Sequence, residues 1–283
     1  MSKFKDRVAV VTGAGSGIGR ALALALADRG AKLALSDIDT ESLAETVGLA
    51  RARGAQVHAQ QLDVGDKTAM NAYAATVLEH FSVVHQFYGN AGILLGSRQL
   101  LDMRENHIEK IVEVNLWGVI WGTRAFLPHL IASGEGVLVT MSSLNGLMGQ
   151  PGLSIYCATK FAIRGFTEAV RCEMLKNGYP VQVTVVHPGG INTNIARAAI
   201  PDDADLSEEE RVEAQERAKV YYRKFLKMPP EEAVEQILKG VERGRSRIVV
   251  TSGALFIDRL VRLFPQSYPK ITTWLFARLL RDS

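Results

Sequence analysis

Cysteine is scarce in this 283-residue sequence: only Cys157 and Cys172 occur. Both fall on one predicted helix, about 22 Å apart along its axis at 1.5 Å per residue, which is too far to bridge within one chain. A disulfide-stapled scaffold is excluded, and reduced thiols in a cytoplasmic setting are the expectation. No Cys/His cluster has zinc-like spacing, so no metal is expected. No apolar run approaches the roughly 18 residues that a membrane-spanning helix needs. The opening MSKFKDR has no apolar h-region, so no secretory leader is expected. A net charge of +3 is too small to argue for nucleic acid as a partner. Repeats, low-complexity tracts and an interdomain linker are also missing.

What is present is a chain with 47% hydrophobic and 22% charged residues, enough to build one large soluble core. Short β-branched runs at 7–12, 32–36, 56–62, 84–88, 137–142, 181–187 and 247–251 read as strands. Helical stretches fall between them at 17–29, 41–53, 67–80, 104–131, 154–177 and 230–243. This alternation predicts an α/β fold: a doubly wound, Rossmann-type parallel sheet of about seven strands flanked by helices. The expected organisation is a single domain over 1–253, with a lid insertion at about 195–228, followed by an amphipathic C-terminal extension over 254–283.

The first strand runs directly into Gly13-Ala14-Gly15-Ser16-Gly17-Ile18-Gly19 and then into an Ala/Leu-rich helix. Strand, glycine turn and helix together point to a phosphate site rather than a mere tight turn, because glycine backbone can approach a pyrophosphate and the helix N-terminus offers unpaired N–H groups. Asp37 closes the second strand. A carboxylate there can accept from both ribose hydroxyls and repels a 2′-phosphate. Ser16 and Ile38 stand where a phosphate-binding cation would be needed, and Arg20 reads as a helix-surface residue. NAD is therefore expected rather than NADP.

Ser143, Tyr156 and Lys160 supply a hydroxyl, a phenol and an ammonium. The four-residue step from Tyr156 to Lys160 puts both on one helix face. A neighbouring cation favours the phenolate and brings a poor neutral-pH catalyst toward its working range. Thr12-Gly13-x-x-x-Gly17-x-Gly19, Asn90-Ala91-Gly92, Asn115, Ser143, Tyr156-x-x-x-Lys160 and Pro188-Gly189 occur in one order. In order and spacing they resemble the compact branch of the short-chain dehydrogenase/reductase family, from about residue 5 to 193. One departure is Gly89, where that family often carries a second Asn.

The resemblance implies an oxidoreductase in which Tyr156 is the acid/base and Ser143 stabilises the same substrate oxygen. Lys160 would hold the nicotinamide ribose and lower the Tyr156 pKa, and Asn115 with a local helix kink would hold a water leading from Lys160. Asp63 and Val64 would contact the adenine edge, though Asp63 also reads as a cap of the following helix. Ile191 and Thr193, after Pro188 and Gly189, would lie near the carboxamide. Ser142 reads as support, His187 as a structural strand-end residue, and Cys157 as packing.

Leu94, Leu95, Leu144, Met148, Leu153 and residues 194–200 are expected around the substrate. They are mostly apolar, with Arg197 the sole cation, so a hydrophobic secondary alcohol or ketone is favoured over a hydroxy acid or sugar phosphate. The charged insertion before Met228 is expected to form a lid helix. Over 254–283, Leu, Phe, Trp and Ile recur at helical spacing between arginines, with Pro265 and Pro269 breaking the segment in two. Packing on the domain or a partner, peripheral membrane contact and a channel cover remain open for it. The helices at 104–131 and 154–177 resemble those with which the family dimerises, so a homodimer or homotetramer is expected. An NADP-dependent carbonyl reductase, a dinucleotide-sensing regulator and a lyase or epimerase using bound NAD are the alternatives.

Overall fold

A computed structural model describes residues 3–193, 195 and 224–281. Seven strands form one sheet: β1 (Val8–Thr12), β2 (Lys32–Asp37), β3 (Val57–Gln61), β4 (Gln86–Gly89), β5 (Gly136–Met141), β6 (Val181–Pro188) and β7 (Arg247–Val250). Their order is β3-β2-β1-β4-β5-β6-β7, and every pairing is parallel. Such a sheet is covered on both faces, so its central strands read as unbroken apolar runs; β1 and β5 are buried along their whole length. The expected doubly wound fold is the observed one.

One face carries α1 (Gly17–Asp28), α2 (Thr40–Arg51) and a later helix, α7 (Pro230–Glu242), around Leu22, Leu26, Val47 and Ile237. The other carries α3 (Lys67–Phe81), α5 (Gly118–Ala132) and α6 (Ser154–Asn177) around Tyr73, Phe126, Leu130 and Val170. In α6 all the buried residues but Thr159, namely Cys157, Lys160, Ile163, Thr167, Val170 and Met174, recur every three or four positions, and the helix ends at Gly178 with φ of +66°. The strand order reverses between β1 and β4, and the crevice at such a reversal is where ligands of these folds bind.

The continuous helix expected over 104–131 is three pieces. α4 (Glu105–Val112) leads into a π-turn (Glu113–Trp117), where the Gly118 N–H reaches Glu113 O, and α5 follows. A second correction concerns the C-terminal break. α8 (Ser252–Leu263) and α9 (Tyr268–Arg281) are separated around Pro265, but Pro269 lies in the first turn of α9, where a missing N–H costs nothing. Residues 194 and 196–223, which hold most of the expected lid and Arg197, lie outside the described residues.

Candidate active site

The glycine loop after β1 shows why small residues stand there. A Cβ on Gly19 would fall 1.8 Å from the Gly13 carbonyl, and one on Gly13 would fall 2.8 Å from Ala91 Cα. The loop is clipped to the end of β4: Asn90 Nδ2 donates to Thr12 O at 2.9 Å and Gly13 O at 3.2 Å, and Thr12 Oγ1 accepts from the N–H groups of Asn90 and Ala91. At Gly89, a Cβ would come within 3.3 Å of the Phe87 ring, a tight contact.

α1 begins behind Ser16, whose side chain makes no cap hydrogen bond, and its first turn contains no acid. α2 and α3 differ, being capped by the carboxylates of Asp39 and Asp66. The start of α1 therefore presents first-turn N–H groups and a positive dipole end to the crevice, as an anion site requires. Ile18 turns inward against the apolar cluster, and Thr193 comes against Gly17.

Asp37 ends β2 beside this loop, and its Oδ2 accepts the Gly15 N–H at 2.7 Å while Oδ1 accepts from Asp39 N–H. The carboxylate is thereby aimed at the loop. Arg20 bends away from it: Nε donates to Gly15 O and Thr46 Oγ1, and the guanidinium pairs with Glu45 at 2.7 Å. Asp63 is not a helix cap, since Asp66 caps α3. Its Oδ1 accepts from Gly65 N–H at 2.9 Å and its Oδ2 from Lys110 at 3.0 Å. Burial would raise the Asp63 pKa, but these bonds and the Lys110 charge outweigh it and hold the value below the carboxylate norm. Val64 is buried against Gly118, so only its backbone can face a ligand.

At the far side, β5 and α6 are joined by two bonds. Lys160 Nζ donates to Met141 O at 3.1 Å, and Ser142 Oγ donates to Lys160 O at 2.8 Å. Lys160 lies over the Tyr156 ring, 5.5 Å from its centroid. Its burial lowers the ammonium pKa to about 8. The backbone of Gly92 approaches both Lys160 and Asn115: a Cβ there would sit 3.3 Å from Lys160 Nζ and 3.2 Å from Asn115 Oδ1. Asn115, fully buried in the π-turn, exchanges two hydrogen bonds with the backbone of Ile93.

Ser143 follows β5, and its Oγ accepts the Asn145 N–H at 3.2 Å, which leaves its own proton to donate. His187 was expected to be only structural; its Nδ1 meets Ser143 O at 3.0 Å, a contact the sequence did not signal. A carbonyl can only accept, so Nδ1 carries the proton. Burial lowers the His187 pKa to about 4, so the ring is neutral near pH 7. Beside Tyr156, Leu94, Leu153 and Cys157 form a small apolar cluster with Ile195. Leu144 is half-buried and reaches Gly189, whereas Met148, expected to line the pocket, is fully buried. Pro188 pairs with Val250 at the sheet edge, and Ile191 is buried and bridged to Met228. Among the described residues no cluster of three metal-ligating side chains occurs.

Residues 7–204 match the family model for short chain dehydrogenases. The chain is also 50% identical over 272 residues to SadH of Mycobacterium tuberculosis, named as an oxidoreductase, covering 96% of this chain and 95% of that one. It belongs to the short-chain dehydrogenase/reductase family. A mouse epidermal retinol dehydrogenase 2 is 42% identical over 190 residues, covering 66% of this chain and 61% of the mouse protein. A Burkholderia phymatum short-chain dehydrogenase/reductase solved in complex with NAD superposes with a TM-score of 0.85 at 30% identity, covering 94% of this chain and 96% of that one. As a member, the chain is an NAD(P)-dependent oxidoreductase of CH–OH groups.

Proposed function

We propose that this chain oxidises a hydrophobic secondary alcohol, or reduces the matching ketone, with NAD(H). The observation that carries the reading is Lys160, an ammonium buried over the Tyr156 ring and tied to the end of β5. A cation so placed favours the phenolate, which gives Tyr156 its acid/base role. Ser143, with its hydroxyl proton free to donate, stabilises the charge developing on the substrate oxygen.

NAD fits the crevice on two counts: the uncapped start of α1 suits a pyrophosphate, and Asp37 suits ribose hydroxyls while repelling a 2′-phosphate. Gly13, Gly15, Ser16, Gly17, Ile18 and Gly19 would hold the pyrophosphate side. Asp63, Val64, Asn90, Ala91 and Gly92 would hold the adenosine and ribose edge, and Lys160, Pro188, Gly189, Ile191 and Thr193 the nicotinamide half. The cofactor supplies the hydride acceptor or donor, and the protein fixes geometry and charge around it. By clasping Ile93, Asn115 positions the loop beside Lys160.

The apolar cluster Leu94, Leu153 and Ile195 beside Tyr156, with Leu144 near Gly189, supports a hydrophobic substrate. The retinol dehydrogenase resemblance agrees with it. The same reading includes a cytoplasmic homo-oligomer using the helical stretches 104–131 and 154–177, where exposed Trp117 stacks at 4.9 Å on half-buried Trp121, a catalytic body over 1–253, and peripheral membrane contact through 254–283. A screen of hydrophobic secondary alcohols and ketones with NAD and NADP, run beside Tyr156→Phe, tests it. NADH should accumulate in step with product and vanish in the variant while dinucleotide binding persists. Turnover confined to small charged hydroxy acids, or product without NADH, would sink the proposal.

A further inference from the structure

The C-terminal helices carry more exposed apolar surface than their packing uses. Ala254 and Ile257 of α8 are buried, but Phe256 is 59% exposed, Leu263 72% and Trp274 of α9 59%, with Leu255, Phe264 and Ile271 also exposed. On α8, Phe256, Arg259 and Leu263 recur at helical spacing; on α9, Ile271, Trp274 and Arg278 do, with the Arg278 guanidinium 5.4 Å from the Trp274 ring. Large apolar residues interleaved with arginine on one face mark a helix that lies along an interface.

The charge on this face is one-sided. From Lys239 to Arg278 eight lysines and arginines stand against two carboxylates, Glu242 and Asp258, in a chain whose net charge is only +3. A groove of about 430 Å³ between α7, β7 and α8 is lined by Lys239, Arg243, Arg245 and Arg247, with Asp258 its one acid and Leu255 of α8 at its wall. Asp258 is already taken by Arg247 at 2.6 Å and Arg262 at 3.1 Å. Among the described residues, no ion pair involves Lys239, Arg243, Arg245, Arg259 or Lys270. A two-fold contact with a second copy would bring these cations against themselves. No helix of the described residues is long and apolar enough to cross a membrane.

We infer that α8 and α9, with the basic groove beside them, form a docking face for an anionic lipid bilayer, lying on its surface and bringing the substrate side of the site to it. This deepens the peripheral contact in the functional reading and rests on it for the substrate's source. The mechanical link is direct. A Cβ on Gly189 would meet Ala254 of α8 at 2.9 Å, and the Tyr268 hydroxyl of α9 accepts the Gly149 N–H at 3.3 Å. The docking helices thus hang from the loops around Ser143 and Gly189, through which an apolar alcohol dissolved in the bilayer would reach Tyr156.

Co-sedimentation with vesicles of phosphatidylcholine alone, and of phosphatidylcholine with phosphatidylglycerol, tests this with the full chain. Partitioning should favour the anionic vesicles and weaken in high salt. Arg259→Glu with Lys270→Glu should lower it by about thirtyfold or more. Phe256→Ser with Trp274→Ser should lower it at least tenfold, and both variants should keep wild-type dinucleotide binding in solution. Equal partitioning into the two vesicle types, or no response to either double variant, overturns the inference. So does a loss of oligomer mass by the apolar variant in sedimentation velocity without vesicle binding by the wild type, since the face then belongs to a second copy. Vesicle binding is read without turnover, so failure of the dehydrogenase reading would leave this result standing.

Discussion

Asn115 holds Ile93 by both of its backbone groups: the Ile93 N–H donates to Asn115 Oδ1 at 2.7 Å, and Asn115 Nδ2 donates to the Ile93 carbonyl at 2.9 Å. The pair ties the π-turn to the loop after β4, beside Lys160. Asn115→Ala leaves the two backbone groups of half-buried Ile93 without this partner, so a loss of about 1–3 kcal/mol is expected in urea unfolding. A change below 0.5 kcal/mol would show that the clasp is not structural.

Lys160 is the group whose titration should be visible in stability. Its folded pKa is about 8 against an ordinary 10.5. Between these values the unfolded chain binds more protons than the native one, so stability rises with pH through that window. Below about pH 8 the cost of the buried charge is present in full. Relative to Lys160→Met, the protein without cofactor should gain about 2–3 kcal/mol between pH 8 and 10.5, measured by denaturant unfolding at each pH. A flat difference across the window would contradict a buried, charged amine.

His187 should act on Ser143 through the carbonyl it holds. His187→Leu leaves that carbonyl with only the Gly146 N–H. A fall of about tenfold in kcat is expected, with the KM for cofactor unchanged, and His187→Asn should restore most of it by donating in the same place. The folded pKa of about 4 lies below the ordinary 6.5, so the unfolded chain takes the proton first. Wild-type stability should therefore fall relative to His187→Asn as pH drops from 6.5 toward 4. Equal acid sensitivity in the two would remove the buried neutral ring from the account.

Asp37 should decide between the two dinucleotides. Asp37→Ser removes the charge repelling a 2′-phosphate and the acceptor for ribose hydroxyls, so the NAD-to-NADP ratio of kcat/KM should fall by about 10- to 100-fold. A ratio unchanged by the substitution would mean that another group selects the cofactor.

The sheet was legible because alternating β-branched runs and amphipathic stretches leave few ways to order seven parallel strands. The pairing of Tyr156 with Lys160 was equally legible, since one helical turn sets it. What the sequence hid was contact between distant segments. Asn115 stood out as polar in an apolar helix, but its partner Ile93 lies on another element, and the polar bonds it makes go with a π-turn rather than an unbroken helix. His187 looked inert because nothing local marks the Ser143 carbonyl as its partner. Asp63 and Asp66 compete to cap α3, and only the point where the backbone leaves extended geometry chooses Asp66. Pro269 reads as a breaker until the helix start is known, after which it is an ordinary first-turn residue.

The π-turn also preserves the phase of the helix after it. It takes up one surplus residue within a single wide turn, so deleting Leu116 would let Glu113–Trp117 relax to ordinary winding with α5 kept close to its present phase relative to α4. What would change is the wide turn itself, in which Asn115 sits to clasp Ile93. A one-codon loss would thus loosen the loop beside Lys160, although it touches neither the glycine loop nor Tyr156.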